Sequence, residues 1–269
     1  MHRLIPGMAT LLVAAASTGP AWAATQCARQ SPAHRVALIE LYTSEGCDSC
    51  PAADKWLSGL SGMSGMSGPG GPQSGEKAVT LALHVDYWDR LGWKDRFANP
   101  LFTERQGKLS GLGGSKVIYT PGVYLNLREF RNWSSAPRLA EALAATNASP
   151  PGADISLQLA RNTDQLEISA QFKLRARAGI GQAQAFVALY EHRLSTDVKA
   201  GENRGATLRH DSVVRHWIGP IDLNRTQTTT KTLPLDRSWK AADMGVAAFI
   251  QDLASGEMLQ ATAMPLCTI

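Results

Sequence analysis

The sequence predicts an α/β domain of order β-α-β-α-β-β-α, followed by an antiparallel all-β, sandwich-like domain. Two observations lead there. Between residues 36 and 146, short apolar runs of strand-forming residues alternate with stretches of helical spacing. Beyond Ser149-Pro150-Pro151-Gly152 the pattern changes to alternation of apolar and polar residues, as in Ile155 to Leu159 and Leu166 to Phe172, which flank an Asn162-Thr163-Asp164 turn.

The elements follow in order. Arg3, the apolar run Met8 to Ala16 and the small-x-small site Ala21-Trp22-Ala23 read as a secretory signal peptide over residues 1–23. The protein is therefore expected to be exported, periplasmic or secreted. The run is shorter than the ~20 residues that span a bilayer, and Gln26 stands before Cys27 where lipid attachment needs a small residue, so no membrane anchor is expected. Residues 24–148 form the first domain. Val36 to Tyr42 is its first strand, and Pro51 opens a helix carrying Trp56, Leu57 and Leu60 at helical spacing. Residues 61–75, rich in Gly, Ser and Met, read as a flexible loop. Val79 to Val85 is a second strand, Asp86 to Asn99 a Trp-rich loop, and Pro100 to Leu112 a helix. Val123 to Leu127 and Glu129 to Arg131 follow as strands, then Ala136 to Thr146 as a closing helix. Residues 149–152 read as a linker, because consecutive prolines stop a helix. Residues 153–269 form the β domain, with about seven short strands, the spacing of a sandwich.

The chain holds 27 Lys plus Arg against 23 Asp plus Glu, a formal net charge of +4. That is too mild to imply nucleic acid. No repeat of solenoid or propeller length is visible.

Chemistry concentrates in Cys47-Asp48-Ser49-Cys50. A redox pair needs one accessible cysteine of low pKa and a second within a helical turn to release the mixed disulfide. At a helix N-terminus, backbone N–H groups and the helix dipole favour a thiolate, which makes Cys47 the nucleophile and Cys50 the resolving thiol. Asp48 works against this by its own negative charge. A structural zinc site would need four ligands, and no second C-x-x-C or H-x-x-x-H exists, so no cofactor or metal is implied.

His84, Asp86, Tyr87, Trp88 and Trp93 gather at the end of the second strand, the edge where parallel sheets bind ligands. Trp88 and Trp93 could line a substrate groove, with His84 or Asp86 moving protons, or they could cover a hydrophobic edge. Met63 and Met66, with the cysteines and His84, offer soft ligands for Cu(I) as an alternative to redox exchange. Gly201-Glu202-Asn203-Arg204-Gly205, followed by His210, reads as a solvated connection, with a site formed by Glu202 and His210 facing the first domain as the alternative. If Cys47 pairs with Cys50, then Cys27 and Cys267 remain for each other as a structural disulfide tying the two ends of the chain.

Strand, C-x-x-C at a helix start, second strand, helix and then Thr120-Pro121 opening a strand resemble the thioredoxin superfamily. The resemblance implies a cis-proline at Pro121, a substrate-holding backbone at Thr120 and a proton-relay acid before the first cysteine, for which Glu40 is the nearest match. Longer motifs are similar to the exported thioredoxin-like family catalogued as domain of unknown function 1223. They are Glu40 to Asp54, His84 to Asp89, Leu91 to Asp95, Tyr119 to Pro121 and Gly201 to Asn203. That family's pattern would place an Asn-Gly turn where this chain has Asn126-Leu127. The function expected is thiol–disulfide exchange with exported proteins or small thiols, sustained by a redox partner. The alternative is a non-catalytic binding module or copper(I) carrier using Cys47 and Cys50 with His84 or with Met63 and Met66.

Overall fold

The computed structural model describes residues 24–60, 77–175 and 181–267. The expected signal peptide, the 61–75 loop and the two methionines in it lie outside these residues. Chain order begins β1 (Thr25–Gln30), β2 (Ala37–Thr43), α1 (Pro51–Gly59), β3 (Ala78–His84), α2 (Pro100–Leu112), β4 (Gly122–Leu125), β5 (Arg128–Glu129) and α3 (Ala136–Asn147). Strands follow: β6 (Ala153–Arg161), β7 (Gln165–Leu174), β8 (Ala183–Glu191), β9 (Leu194–Asp197), β10 (Thr207–His210), β11 (Val213–Leu223), β12 (Thr226–Pro234), β13 (Met244–Asp252) and β14 (Glu257–Pro265). From β2 to α3 the order is the expected β-α-β-α-β-β-α.

One mixed sheet of eight strands organises the molecule, in the order β14-β13-β8-β11-β3-β2-β4-β5. β2 and β3 are parallel, as a crossover through α1 requires. Successive side chains of a strand face opposite ways. Ala37, Ile39 and Leu41 therefore pack with Leu57 of α1 and with Leu139 and Leu143 of α3. Leu38 and Tyr42 pack on the other face with Phe102 and Leu109 of α2.

The sheet takes strands from both sides of Pro150-Pro151, which adjacent-strand reasoning does not reveal. β11 meets β3 in parallel at Val213 and Ala82, reinforced by Ala82 N–H donating to Ser212 O at 2.8 Å. The core behind α2 is shared in the same way, since it also holds Phe186, Tyr190 and Phe249. The linker stretch is itself built in: Pro151 and Gly152 are buried, and Gly152 N–H donates to Leu259 O at 3.0 Å.

A second sheet, β1-β6-β7-β12, is antiparallel. Its inward residues, among them Ile155, Leu157, Ile168 and Phe172, share a core with Val187, Val246 and Ile250 of the large sheet. The alternation read from residues 155–172 is the signature of this half-buried face. β1 was not expected, because Thr-Gln-Cys-Ala-Arg-Gln carries no apolar period; it pairs with β6. The β4–β5 hairpin closes on Asn126 and Leu127, at φ 50° and 70°. Leu127 replaces the expected glycine; its side chain is buried in the core behind α2, and Asn126 Oδ1 accepts from Leu38 N–H at 3.0 Å.

Cys27 and Cys267 are joined, with Cα atoms 5.7 Å apart and a sequence separation of 240. The bond ties β1 to the segment after β14. Changing both to Ser should cost roughly 2–5 kcal/mol, by releasing a long loop in the unfolded chain. Urea unfolding checks this; a loss below ~1 kcal/mol would mean that β-sheet pairing alone holds the chain end.

Candidate functional site

The apolar strand β2 ends at Thr43, and the chain turns through Ser44, Glu45 and Gly46 into the cysteine pair. Pro51 at the first helical position suits the start of α1, leaving Cys50 as the residue just before the helix. Cys47 and Cys50 form a disulfide with Cα atoms 5.5 Å apart. Asp48 and Ser49 are exposed, but both cysteines have 0% exposure. The expectation of an accessible Cys47 is thus corrected.

The reason is the segment read as a solvated connection. Asn203 Nδ2 donates to Glu45 O at 2.9 Å and to Cys47 O at 2.8 Å. Asp48 N–H donates to Glu202 Oε2 at 3.2 Å. Gly201, at φ +72°, lets this loop close on Trp93, whose Cβ would lie 3.0 Å from an added Cβ. The loop strings backbone contacts across the turn that holds Cys47. Asn203→Ala removes two hydrogen bonds of ~1 kcal/mol each, so reduction of the Cys47–Cys50 bond by a small dithiol should accelerate by up to roughly 30-fold. Timed alkylation and mass analysis measures it. An unchanged rate would locate the barrier elsewhere.

The Trp-rich loop is the other wall. Trp88 Nε1 donates to Thr120 Oγ1 at 2.7 Å, and its Cβ would lie 3.2 Å from a Cβ on Gly46. Trp88 therefore links the cysteine turn to Thr120-Pro121, whose peptide bond is cis. Trp93 Nε1 donates to Glu45 Oε2 at 2.9 Å. Both indoles are half-buried and both bind this protein's own groups.

Beneath the pair lies a cluster of buried ionisable side chains. His84, on the α1 face of β3, gives Nδ1–H to Asp95 Oδ2 at 2.6 Å. The same oxygen accepts from Glu45 N–H at 2.9 Å, while Asp95 Oδ1 accepts from Phe97 N–H at 2.8 Å. Asp54 follows Cys50 by one turn of α1, and its Oδ2 accepts from Thr43 Oγ1 at 3.1 Å. His210, at the end of β10, brings Nε2 to 3.4 Å from Glu45 Oε1 and Nδ1 to 3.8 Å from Asp54 Oδ1. The His84 and His210 rings meet edge to face, with centroids 5.0 Å apart.

Burial opposes charge on His210, but Asp54 and Glu45 outweigh it and push the pKa up to about 9. Burial would raise both Glu45 and Asp95. His210 overcomes it for Glu45 and His84 for Asp95, and both carboxyls are held below their ordinary range.

Two expected proton carriers stand elsewhere. Glu40 lies on the opposite face of β2, gripped by Arg105 of α2 through contacts of 2.6 and 3.1 Å. Strand alternation turns it away from α1, which corrects its assignment as a relay to the cysteines. Asp86 accepts from Thr103 Oγ1 at 2.6 Å and anchors the Trp-rich loop to α2.

Residues not singled out from sequence are Glu45, Asp54, Asp95 and Asn203. Each lies within one of the motifs that carried the family resemblance, and in space those motifs converge on one place. That convergence was the available signal.

Two disulfides among the described residues suit an oxidising, extracytoplasmic compartment. No helix among the described residues is long and apolar enough to cross a membrane. In structure the chain resembles protein AGR_C_4864 from Agrobacterium tumefaciens, with 27% identity, a TM-score of 0.56, and coverage of 86% of this chain and 93% of that one. It also resembles HBP35 of Porphyromonas gingivalis, with 14% identity, a TM-score of 0.62, and coverage of 88% and 76%. At that identity the likeness is one of fold. No curated protein matches the chain. The model of the family described as "Protein of unknown function (DUF1223)" matches residues 38–251, and the chain belongs to that family.

Proposed function

We propose that residues 24–148 hold a thioredoxin-like unit and that the protein is an exported thiol–disulfide oxidoreductase, periplasmic or secreted. The observation that carries this reading is the Cys47–Cys50 disulfide, set between the end of a central parallel strand and the first turn of a helix. A helix start stabilises a departing thiolate, and that is what an exchanging disulfide needs.

The reaction balances as follows. A substrate thiolate attacks Cys47 Sγ, the bond to Cys50 breaks, and Cys50 leaves as a thiolate that takes up a proton. A second substrate thiolate then attacks the substrate sulfur of the mixed disulfide and expels Cys47. Two electrons and two protons pass from the substrate dithiol to the pair, leaving a substrate disulfide. A disulfide-bearing redox partner returns the pair to its oxidised form by the reverse exchange. Thr120 and Pro121 would present backbone to an extended substrate, with Trp88 and Trp93 as the walls, once the Glu202-Asn203 contact yields.

Oxidation of a reduced dithiol peptide in the presence of glutathione disulfide tests the reading. Catalytic amounts of the protein should accelerate peptide disulfide formation. A rate equal to that of glutathione disulfide alone would refute it.

A further inference from the structure

Three segments far apart in sequence deliver one side chain each to a single buried point. Asp54 comes from α1, His84 from the end of β3 and His210 from the end of β10, with one donor atom of each lying within 4.8 Å of the others. Exposure is 5%, 0% and 1%. We propose that these three residues bind one divalent transition-metal ion of the zinc type, a site independent of whether the cysteines turn over.

The outer contacts carry the argument. A histidine that holds a metal through one nitrogen generally gives its other N–H to a carboxylate. His84 does so, Nδ1–H to Asp95 at 2.6 Å, which leaves Nε2 buried without a hydrogen-bond partner. His210 repeats the arrangement less tightly, with Nε2 toward Glu45 and Nδ1 toward Asp54, and neither nitrogen makes a hydrogen bond. Asp54 is itself held, through Thr43 Oγ1 on Oδ2, while Oδ1 faces His210. An imidazole nitrogen buried without a partner is costly, and a cation bound there would use it.

Charge points the same way. Glu45, Asp54 and Asp95 place three carboxylates around two imidazoles, all buried. Two nitrogens and an oxygen suit zinc and its neighbours better than calcium or magnesium, which prefer oxygen alone, or copper(I), which prefers sulfur. No sequence spacing announces such a site, because its ligands are 30 and 126 positions apart along the chain.

The test uses the full protein with the Cys47–Cys50 bond kept oxidised, so that thiolates cannot contribute. After chelator treatment it is titrated with Co(II), then with Zn(II). The expected result is one equivalent bound, a visible Co(II) spectrum of nitrogen and oxygen ligation with no thiolate charge-transfer band, and displacement by Zn(II). His84→Gln and His210→Gln should each abolish the spectrum. Asp95→Asn, outside the ligand set, should weaken affinity roughly 10- to 100-fold. If the histidine variants do not fold, the melting temperature of the unaltered protein decides, since a metal that binds only the folded chain must raise it. Absence of any Co(II) spectrum, binding that persists in folded His84→Gln, or a melting temperature indifferent to Zn(II) overturns the proposal.

Discussion

Cys47→Ser should reduce peptide exchange to the uncatalysed rate, whereas in Cys50→Ser the Cys47 thiolate should attack a peptide disulfide, expel one peptide thiolate and, with no second cysteine to resolve it, accumulate a mixed disulfide at Cys47. The asymmetry follows from what covers each sulfur. Cys47 sits in the turn before α1, beneath a loop attached by Asn203 and Glu202. Cys50 is the residue from which the helix springs, with Ala53 N–H and Asp54 N–H bonded to its carbonyl. A hydrogen-bonded loop opens far more readily than a helix end packed in the core. The sulfur that exchanges with substrate should therefore be Cys47, and the sulfur that leaves when Cys47 is attacked should be Cys50. Incubating each variant with the disulfide form of the peptide, whose bond supplies the oxidation, and resolving adducts by mass gives the answer. Equal adduct at both positions would sink the assignment.

Arg105→Leu should destabilise the fold by about 3–5 kcal/mol, because it leaves the Glu40 carboxylate buried without its counter-ion. The guanidinium lies on the inner face of α2, close to Glu40 and 3.2 Å from Gln251 Oε1. It is also packed among the rings of Phe186, Phe249 and Trp217 at 4.9, 5.1 and 5.3 Å. Glu40 belongs to β2, Arg105 to α2, and Phe186, Trp217 and Phe249 to β8, β11 and β13. The pair thus joins the expected α/β segment to the strands that follow residue 150. Replacing both partners by Leu should recover most of the loss, since a buried ion pair and a well-packed apolar pair differ little in net stability. Urea unfolding of the two single variants and the double variant measures it. A loss below ~1 kcal/mol for Arg105→Leu would show that the charge is solvated in ways the fold does not suggest.

Local patterns made the first half legible. Val36 to Tyr42 and Val79 to Val85 are largely apolar runs, broken only by Glu40, Thr80 and His84, because both faces of a parallel strand are covered, and Pro51 and Pro100 mark helix starts by the one position where a missing N–H does no harm. The cysteine pair was legible for the same reason, its spacing being local. The joining of β11 to β3 was not, because only one residue pair sets the register and no pattern in either strand names its partner. The site's lower layer stayed hidden for a related reason. His84 is singled out from sequence, but Glu45, Asp54 and Asp95 are each unremarkable alone, and an isolated polar residue in a sequence gives no sign of whether it will be exposed or buried. The loop around Asn203 reads first as a solvated connection because Gly- and Asn-rich loops usually are; the alternative, Glu202 and His210 facing the first domain, is the arrangement found, and Asn203 spends its amide on the backbone of the cysteine turn.

The central claim is that the Cys47–Cys50 bond is made to be opened, whereas the Cys27–Cys267 bond is not. Equilibrating the protein across a series of glutathione and dithiothreitol redox buffers, followed by alkylation and peptide mapping, measures both at once. The account predicts that Cys47 and Cys50 become alkylated with a midpoint between about −270 and −120 mV, the span of known oxidoreductases, while Cys27 and Cys267 stay joined to below about −300 mV. A Cys47–Cys50 bond that also survives below about −300 mV would be a structural staple, and the proposed exchange would be contradicted.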